Sequence, residues 1–207
     1  VIVRDGDVVG RGWHVRAGEP HAEVFALREA GEMARGATAY VTLEPCAHTG
    51  RTPPCADALI AAGVARVVVA VADSNPLVAG QGAQRLRAAG IVVDVGLMEA
   101  PARALNAGFL RRISGGLPWL RMKTASSLDG RTAMASGESQ WITGDAARAD
   151  VQCWRARSSA IITGIASVLA DDSRLSVRLP DTECQPLRVV LDSQLRLSPQ
   201  AKMLKEP

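Results

Sequence analysis

Short runs of apolar, β-branched residues alternate with segments of helical periodicity along this chain, and this alternation restricts the fold more than any other feature. The run 66–71, RVVVAV, is almost entirely apolar, which is typical of a strand buried on both faces in a parallel sheet. Segments with a helical pattern stand on either side of it, at 55–63 and 82–90. The alternation predicts an α/β sheet with helices packed on its faces.

The other elements of the first 113 residues follow the same pattern. A hairpin is predicted over residues 1–13, because two β-rich runs flank the turn dipeptide Asp5-Gly6. Gly63 marks the end of the helix predicted at 55–63. Further predicted elements are helices at 21–33 and 99–113 and strands at 38–43 and 91–96.

A glycine-containing break at 114–118, SGGLP, is the predicted linker between two domains, 1–113 and 119–207. Beyond it the pattern restarts, with helices predicted at 144–158 and 165–170 and strands at 119–126, 160–163 and 187–192. The chain opens inside an apolar run without an initiator methionine, and it stops shortly after a strand signal. We therefore expect it to be part of a longer protein.

Composition excludes several classes of protein. With 47% hydrophobic residues the chain is globular rather than disordered, and with 3% aromatic residues its core must consist of Val, Ile, Leu and Ala. The net charge of +3 is not the signature of a nucleic-acid-binding protein, but it suits a small phosphorylated substrate. No apolar stretch approaches the length of a membrane span, and no signal peptide is visible.

Two of the four cysteines lie in the segment EPCAHTGRTPPC, residues 44–55. Cys46 and Cys55 could form a disulfide, a redox pair, a metal site or none of these. Structural disulfides are disfavoured without a secretory context, and the upstream tripeptide HAE supplies His21. One imidazole and two thiolates are three zinc ligands, and they leave the fourth position open, as in a catalytic zinc site.

The predicted elements place these ligands at suitable positions. His21 and Cys55 lie where helices are predicted to begin, and Cys46 follows a predicted strand; the partial positive charge of a helix N-terminus stabilises a thiolate. In the first helical turn, His21 and Glu23 can both face one pocket. Zinc lowers the pKa of bound water to roughly 7. We predict that Glu23 moves protons from that water to a leaving amine in a hydrolytic deamination.

The pattern H-x-E followed by P-C-x-x-C is a signature of zinc deaminases, and this chain resembles it. HAE and PC are present, but eight residues rather than two separate Cys46 from Cys55. The alternative is that His21 and the cysteines are unrelated core or surface residues. His-x-Glu at a helix start, Pro-Cys after a strand and Pro-Cys at the next helix start are jointly rare, which favours the metal site.

The segments HVRAGEPHAE and EPCAHTGRTPPC together resemble the bifunctional deaminase–reductase of riboflavin biosynthesis, a family with the same long spacing between its cysteines. DSNPLVAGQG at 73–82, MKTASSLDGRTA and SQWITGDAARADVQCWRARSSAIITG resemble further segments of the family in the same order. The resemblance implies an α/β chain in which a cytidine-deaminase-like α/β/α sandwich precedes a partial dihydrofolate-reductase-like α/β domain. It also implies two cofactors, Zn²⁺ and NADPH.

For the first domain, the resemblance implies deamination of a diaminopyrimidinone that carries a ribosylamino 5′-phosphate. His21, Cys46 and Cys55 then hold the zinc, and Glu23 is the catalytic residue. The implied substrate-binding residues are His14, His48, Arg51, Asp73 and Asn75. An arginine suits a phosphate, and Asp and Asn suit ribose hydroxyls or ring edges. Taken alone, each of the five is equally well explained as an ordinary strand, loop or turn residue.

For the second domain, the resemblance implies NADPH-dependent hydride transfer to the sugar carbon, which converts ribosylamino to ribitylamino. The implied substrate-binding residues are Lys123, Ser139, Arg155, Leu175 and Arg178. The implied cofactor-binding residues are Ala125, Trp141, Thr143, Ser167 and Asp171. The residues by themselves carry little signal, because no G-x-G-x-x-G follows a strand. Trp141 alone suits core packing, and Lys123 suits the exposed edge of a strand.

Two segments of the family are expected outside this chain: its first helix, with a substrate-contacting Asn, and the glycine-rich phosphate-binding part of its reductase. We therefore expect weak deamination or none from this chain, and no reduction. Measurable oxidation of NADPH by the chain would contradict the second expectation.

Two other functions fit parts of the sequence. The first is a zinc deaminase that acts on tRNA or on a free cytosine-type base. A tRNA enzyme requires a basic groove with stacking aromatic residues, and the small number of such residues here, one Tyr and two Phe, argues against it. A non-enzymatic protein with structural zinc requires four protein ligands, and His48 is the obvious fourth. Activity toward pyrimidines, nucleosides and tRNA distinguishes the first alternative, and the effect of Glu23→Ala distinguishes the second.

The remaining cysteines, Cys153 in a predicted amphipathic helix and Cys184 in a polar loop, have no partner motif and are predicted to be free thiols. Free thiols suit a reducing compartment, so we expect a cytoplasmic enzyme. The expected partner is the phosphorylated pyrimidine substrate, with neither a nucleic acid nor a membrane, and we expect a homo-oligomer.

Overall fold

The computed structural model describes residues 1–75, 79–180, 182 and 184–205. The chain divides into two units, unit 1 (Val1–Arg121) and unit 2 (Met122–Pro207). The predicted linker 114–118 overlaps the end of a helix, and the division between the units falls after Arg121. Residues 76–78 of the segment 73–82 lie outside the described residues.

Unit 1 is built on a mixed sheet. Its strands are β1 (Ile2–Arg4), β2 (Asp7–Gly10), β3 (Thr38–Val41), β4 (Arg66–Val69) and β5 (Val92–Val95), in the spatial order β2-β1-β3-β4-β5. β1 is antiparallel to both of its neighbours, whereas β3, β4 and β5 run parallel. The parallel arrangement predicted for the run at 66–71 is therefore confirmed, since β4 pairs with a parallel strand on either side.

The hairpin predicted at the start of the chain is also present. Arg4 pairs with Asp7, which leaves Asp5-Gly6 as a two-residue turn. Both turn residues have positive φ, 53° and 92°, as a type I′ turn requires. An Asp-Gly dipeptide accepts these angles at low cost because glycine has no Cβ and aspartate tolerates the left-handed region.

Three helices pack together with the sheet around one core. They are α1 (Ala22–Ala30), α2 (Cys55–Ala62) and α3 (Gln81–Ala88), and a 3-10 turn at Gly31–Ala34 follows α1. α2 stops at Gly63, as predicted, and Gly63 adopts the left-handed conformation that often ends a helix. Among the described residues, the buried members of this shared core are aliphatic and include Ile2, Ala26, Leu59, Val67, Val69 and Leu86. Small alanines on the helices allow them to lie close to a sheet of valines.

The helix predicted at 99–113 is instead two helices, α4 (Glu99–Leu105) and α5 (Ala107–Gly115). The break is at Asn106, whose φ is −101° and whose side-chain Nδ2 donates to the Ala102 carbonyl at 3.0 Å. An asparagine side chain that bonds the preceding turn competes with the helical backbone. Ala102 and Leu110 then pack with Ala70 and Val71 in a second small core.

Unit 2 contains α6 (Asp145–Ala156), β6 (Ala160–Gly164), α7 (Ile165–Asp171), β7 (Leu187–Leu191) and α8 (Lys202–Lys205). β6 and β7 pair in parallel over their whole length, which is consistent with the right-handed β-α-β connections of α/β folds. Its buried core is small and consists of Ile165, Val168, Leu175, Ala201 and Met203. Across the described parts of both units, no helix is long and apolar enough to span a bilayer.

The strand predicted at 119–126 is not present, and this prediction was wrong. The segment between α5 and α6 has neither helix nor strand, and Leu120 and Met122 are exposed by 78% and 88%. In the described residues β6 pairs with β7 only, so the alternating segment has no ladder to join. Alternation specifies a strand only when another strand supplies hydrogen-bond partners.

The carboxyl ends of β3 and β4 extend side by side beyond the sheet. Ala70 N–H donates to the Val41 carbonyl and Glu44 N–H to the Val71 carbonyl, each at 2.9 Å. α3 then packs onto the segment after β3 so closely that a Cβ on Gly82 would lie 1.9 Å from the Pro45 carbonyl oxygen. Glycine is therefore required at position 82 for α3 to contact the segment that precedes Cys46.

We expect Gly82→Ala to destabilise unit 1 by about 1–3 kcal/mol, because the added methyl forces α3 away from Pro45. Gly108→Ala is the matched control: Gly108 is likewise the second residue of its helix, and a Cβ there meets nothing within 4 Å. Thermal unfolding should show a clear loss for the first variant and no loss for the second. Equal stability of both variants would contradict the close contact.

Candidate metal centre

Three elements of unit 1 bring the predicted ligands together. His21 is the N-cap residue of α1, and Cys55 is the first residue of α2. Cys46 lies in the loop that leaves β3. The N-termini of two helices therefore face the segment beyond the end of a strand, where their partial positive charges favour anionic thiolates.

The ligand atoms lie at metal-binding distances. His21 Nδ1 is 3.6 Å from Cys46 Sγ and 3.2 Å from Cys55 Sγ, and all three ligand atoms lie within 4.8 Å of one another. Bonds of about 2.3 Å to sulfur and about 2.05 Å to nitrogen at a tetrahedral angle separate sulfur from nitrogen by about 3.6 Å. The three residues thus fit a tetrahedral zinc ion. Among the described residues they form the one such cluster.

The two thiols have strongly different proton affinities. The hydrogen bond from the Cys55 thiol lowers the pKa of Cys46 to about 5, against the opposing effect of burial, and the Cys55 N–H, 3.3 Å from Cys46 Sγ, adds to the lowering. The same bond raises the pKa of Cys55, as do burial and the negative charge of Glu23. The pair therefore shares one proton, which a cation bound by two thiolates displaces.

Glu23 lies in the first turn of α1, two residues after His21. Its carboxylate raises the pKa of the Cys55 thiol through its charge and a hydrogen bond, which places it beside the sulfur. Glu23 and His21 also line the same cavity. A helix start allows both side chains to point toward one ligand, whereas in mid-helix the two positions diverge.

The cavity next to the cluster has a volume of about 660 Å³, which is large enough for a substituted nucleobase with a sugar phosphate. Of the predicted substrate-binding residues, four line it: His14, His48, Asp73 and Asn75. Arg51 is exposed in the loop between the cysteines and is not among the lining residues. The sequence did not single out Asn106, Phe109 and Ile113 of the α4–α5 region, which also line the cavity.

His14 contacts the metal cluster directly. Its ring lies edge-on to the His21 ring, with 5.2 Å between the ring centroids. Its Nδ1 is 3.1 Å from the Pro20 carbonyl, and since a carbonyl only accepts, this nitrogen carries the proton. In the neutral form of the ring, Nε2 is an acceptor.

Two residues that the sequence did not single out brace the cysteine segments. Nε of Arg85, on α3, lies 2.7 Å from Oδ1 of Asp57 in the first turn of α2. Nη1 of Arg85 donates a hydrogen bond to the Ala47 carbonyl at 2.9 Å. Glu44 is buried, and its carboxylate accepts hydrogen bonds from three backbone N–H groups. The signal for Glu44 in the sequence was a carboxylate directly after an apolar strand, a position where an unpaired charge is costly.

In unit 2, some of the predicted positions contact one another. Ser139 Oγ donates to Asp171 at 3.3 Å. Trp141 is 69% exposed, and Cζ of Arg148 lies 4.6 Å from the centroid of its ring. The Arg148 guanidinium also donates a hydrogen bond to the Thr143 carbonyl. Lys123 and Ser167 are exposed and Ala125 is partly exposed. Leu175 differs, because its side chain is buried in the core at a φ of 55°.

Arg155 and Arg178 form a pair of neighbouring cations. Arg155 is partly buried and donates to the Ser176 carbonyl at 2.9 Å. Burial and, next, the positive charge of Arg178 lower the pKa of Arg155. Two guanidinium groups that repel each other are stabilised by an anion that binds both.

In comparisons with known proteins, two family models match successive parts of the chain. Residues 1–71 match the family model for the cytidine and deoxycytidylate deaminase zinc-binding region, and residues 118–207 match that for the RibD C-terminal domain. The first match contains His21, Cys46 and Cys55. The fold class predicted from the sequence, a cytidine-deaminase-like α/β unit followed by a reductase-type α/β unit, is confirmed.

The chain is similar along its whole length to riboflavin biosynthesis proteins. It is 58% identical to the RibD protein of Escherichia coli over 100% of the chain and 60% of that relative, and 50% identical to that of Aquifex aeolicus over 99% of the chain and 57% of the relative. The chain thus spans about three fifths of the length of these curated relatives.

Solved structures give the same result. An Acinetobacter baumannii RibD structure matches with a TM-score of 0.92 and 62% identity, over 100% of this chain and 60% of that one. A Thermotoga maritima structure, described as a diaminohydroxyphosphoribosylaminopyrimidine deaminase/5-amino-6-(5-phosphoribosylamino)uracil reductase, matches with a TM-score of 0.89 and 38% identity, over 100% and 59%. The chain is therefore similar over its whole length to the riboflavin biosynthesis protein RibD, and it carries in succession a region of the deaminase zinc-binding family and a region of the RibD C-terminal domain family.

Proposed function

We propose that unit 1 is a zinc-dependent deaminase of riboflavin biosynthesis that acts on a diaminopyrimidinone carrying a ribosylamino 5′-phosphate. The observation that carries the proposal is the cluster His21, Cys46 and Cys55 with Glu23 beside it, at one wall of a cavity of about 660 Å³. The names of the relatives support the pathway, and the description of the Thermotoga maritima structure supports the substrate class.

The zinc is proposed to be held by His21 Nδ1 and the two cysteine sulfurs. A three-ligand zinc site supplies a Lewis acid that makes hydroxide accessible near neutral pH. The burial of Cys55 and the N–H bond to Cys46 fix both sulfurs before any ion arrives. A preformed ligand set of this kind reduces the ordering cost of binding.

Glu23 is the proposed proton carrier. As the ring carbon gains a C–O bond and its C–N bond breaks, Glu23 takes the proton of the attacking water and delivers it to the departing amino group, which leaves as ammonia. Its place beside the ligands, in the first turn of α1, suits both transfers because one carboxylate can reach the two sides of the reacting carbon.

The substrate contacts are proposed for His14, His48, Asp73 and Asn75, which line the cavity. Asp73 and Asn75 provide acceptors and donors for ribose hydroxyls or ring edges, and the second ring nitrogen of His14, Nε2, can also form a hydrogen bond. Arg51 is proposed to pair with the phosphate. Its exposed loop position between the cysteines is compatible with a phosphate at the mouth of the cavity.

Unit 2 is proposed to belong to an NADPH-dependent reductase that delivers a hydride to the sugar carbon of the deaminated product. The paired cations Arg155 and Arg178 suit the substrate phosphate, with Lys123, Ser139 and the backbone of Leu175 as further substrate contacts. The cofactor side is proposed to include Ala125, Trp141, Thr143, Ser167 and Asp171. The Trp141 ring, exposed and stacked with Arg148, offers a flat surface of the kind that nucleotides bind.

The proposed setting is a reducing compartment such as the cytoplasm, because all four cysteines are free thiols in the structure. The proposed partner is the phosphorylated pyrimidine alone, in a homo-oligomeric enzyme. The structural-zinc alternative is disfavoured by the ligand geometry: His48 lines the cavity, but among the described residues the close cluster contains His21 and the two cysteines without it.

Cys46→Ala should lower the affinity for zinc by more than about 100-fold, because it removes one of three ligands. Cys153→Ala is the control, since Cys153 is an exposed free thiol on α6. Elemental analysis after dialysis against a weak chelator should show about one zinc per chain in the parent and the control, and little in Cys46→Ala. Equal zinc in all three proteins would refute the ligand assignment.

Glu23→Gln should retain zinc and lower the rate of deamination by about 10²–10⁴-fold, the usual worth of a positioned general acid–base. Single-turnover ammonia release with enzyme in excess over the pyrimidine measures even a slow rate. Glu32→Gln, which alters an exposed glutamate just after α1, should behave as the parent. A Glu23→Gln protein with normal turnover, or turnover of tRNA or cytidine in place of the pyrimidine, argues against the proposal.

Arg178→Ala should weaken binding of inorganic phosphate and of the deaminated, phosphorylated product by about tenfold, because one half of the cation pair is removed. Arg196→Ala, which removes a cation of the same unit that is not part of this pair, is the control. Isothermal titration calorimetry measures both. Unchanged affinity in Arg178→Ala would remove the phosphate assignment at this pair.

A further inference from the structure

Glu44 is a buried carboxylate that the proposed chemistry does not use. Its residue is 7% exposed, and it lies between β3 and the ligand Cys46. Oε2 accepts hydrogen bonds from the N–H groups of Asp73 and Gly80, and Oε1 accepts one from Ala83, each at 3.0 Å. No basic side chain is paired with it among the described residues, so these three backbone dipoles are what compensates its burial.

The three bonds join separate parts of unit 1. Asp73 lies after β4, Gly80 is the N-cap residue of α3 and Ala83 lies in the first turn of that helix. Glu44 therefore ties the segment that carries Cys46 to the segment after β4 and to α3. The backbone N–H of Glu44 donates to the Val71 carbonyl at 2.9 Å. The backbone and the side chain of Glu44 therefore both bond to the segment that follows β4.

The effect extends to the side chains in the cavity. Asp73 Oδ1 accepts a hydrogen bond from Asn75 N–H at 2.8 Å, which forms a tight Asx turn. Glu44 thus bonds the Asp73 N–H, and the Asp73 carboxylate bonds Asn75, so both cavity-lining residues are connected to Glu44. Ala79 N–H donates to the Asn75 carbonyl at 2.8 Å, and the next residue, Gly80, is bonded to Glu44.

The geometry also accounts for the residue type. Both carboxylate oxygens accept hydrogen bonds, so three donors on two sides can all be bound. Glutamine offers one acceptor oxygen and a donor NH₂ group, which must face at least one N–H. If the amide oxygen of a glutamine takes the Oε2 position and keeps its two hydrogen bonds, the NH₂ group takes the Oε1 position. It then faces the Ala83 N–H at the start of α3, and two donors cannot bond each other.

We propose that Glu44 is a positioning residue: it holds Asp73 and Asn75 in register with the metal ligands, so that the substrate and the zinc-bound side of the site are aligned. The substrate part of this inference rests on the proposed function of unit 1. The clamp itself does not, because it is defined by backbone hydrogen bonds.

Amide hydrogen exchange of the zinc-loaded chain tests the clamp without substrate. In Glu44→Ala, exchange at Asp73, Gly80 and Ala83 should accelerate about tenfold or more, which corresponds to the loss of about 1.4 kcal/mol per amide. In Glu44→Gln, which preserves the side-chain shape, the acceleration should be confined to Ala83. Glu29→Ala is the matched control, because Glu29 also accepts a backbone N–H, from Arg11 at 2.9 Å, but is exposed.

The kinetic readout separates positioning from general stability. Zinc content should be unchanged in both Glu44 variants. The KM for the pyrimidine should rise about tenfold or more in Glu44→Ala, with a smaller change in kcat and partial recovery in Glu44→Gln. A uniform increase in exchange across unit 1, or a loss of zinc, would overturn the positioning role.

The outcomes distinguish the two proposals. Local exchange changes, with no release of ammonia even from a protein that carries these residues at the full length of the relatives, would support the clamp and count against the proposed function. Normal exchange at Asp73, Gly80 and Ala83 in Glu44→Ala would refute the clamp whatever the activity. A KM equal to the parent's despite local exchange changes would show that Asp73 and Asn75 do not depend on Glu44, and would overturn the substrate part.

Discussion

The parallel pairing of β3 with β4 is the constraint on which the candidate site depends. Because the two strands run in the same direction, the segments that follow them leave the sheet side by side, and Ala70 N–H bonds the Val41 carbonyl where they do so. One segment carries Glu44 and Cys46, and the other carries Asp73 and Asn75. Ligands in open α/β sheets bind at such carboxyl ends. The N-termini of α1 and α2, which begin at His21 and Cys55, complete the site.

The electrostatics of the cluster explain why it suits a divalent cation. The ligand atoms of two thiols and an imidazole lie within 4.8 Å of one another. The hydrogen bond between the sulfurs favours the thiolate form of Cys46 and the thiol form of Cys55, and a divalent cation can displace the shared proton and bind both sulfurs as anions. The negative charge of Glu23 beside the sulfurs disfavours a second anion there, so it lowers the stability of the empty site. Such a destabilising carboxylate is typical of a functional group, which is consistent with the proton transfer proposed for Glu23.

Most of the elements of unit 1 could be predicted from the sequence because their signals are local. The Asp5-Gly6 turn, the Gly63 helix end and the continuous apolar run of β4 depend on residues within a few positions of each other. Predictions failed where a distant partner decides. The alternating segment at 119–126 pairs with no strand in the part of the chain that the structure describes. The bond from Asn106 to Ala102 divides a helix that periodicity presents as continuous. The bonds of Glu44 join positions up to 39 residues apart, which no local pattern contains.

The sequence by itself determined the chemistry available to this protein: one imidazole and two thiols at helix starts and a strand end, with a glutamate two residues from the histidine. These choices are local, since ligand type and helix or turn propensity follow from neighbouring residues. Only the tertiary structure decided that the atoms lie 3.2 to 3.6 Å apart, that Asp73 and Asn75 enter the same cavity, and that a buried carboxylate holds them there. Those relations depend on strand order and close packing, which arise when segments distant in the chain meet in one core.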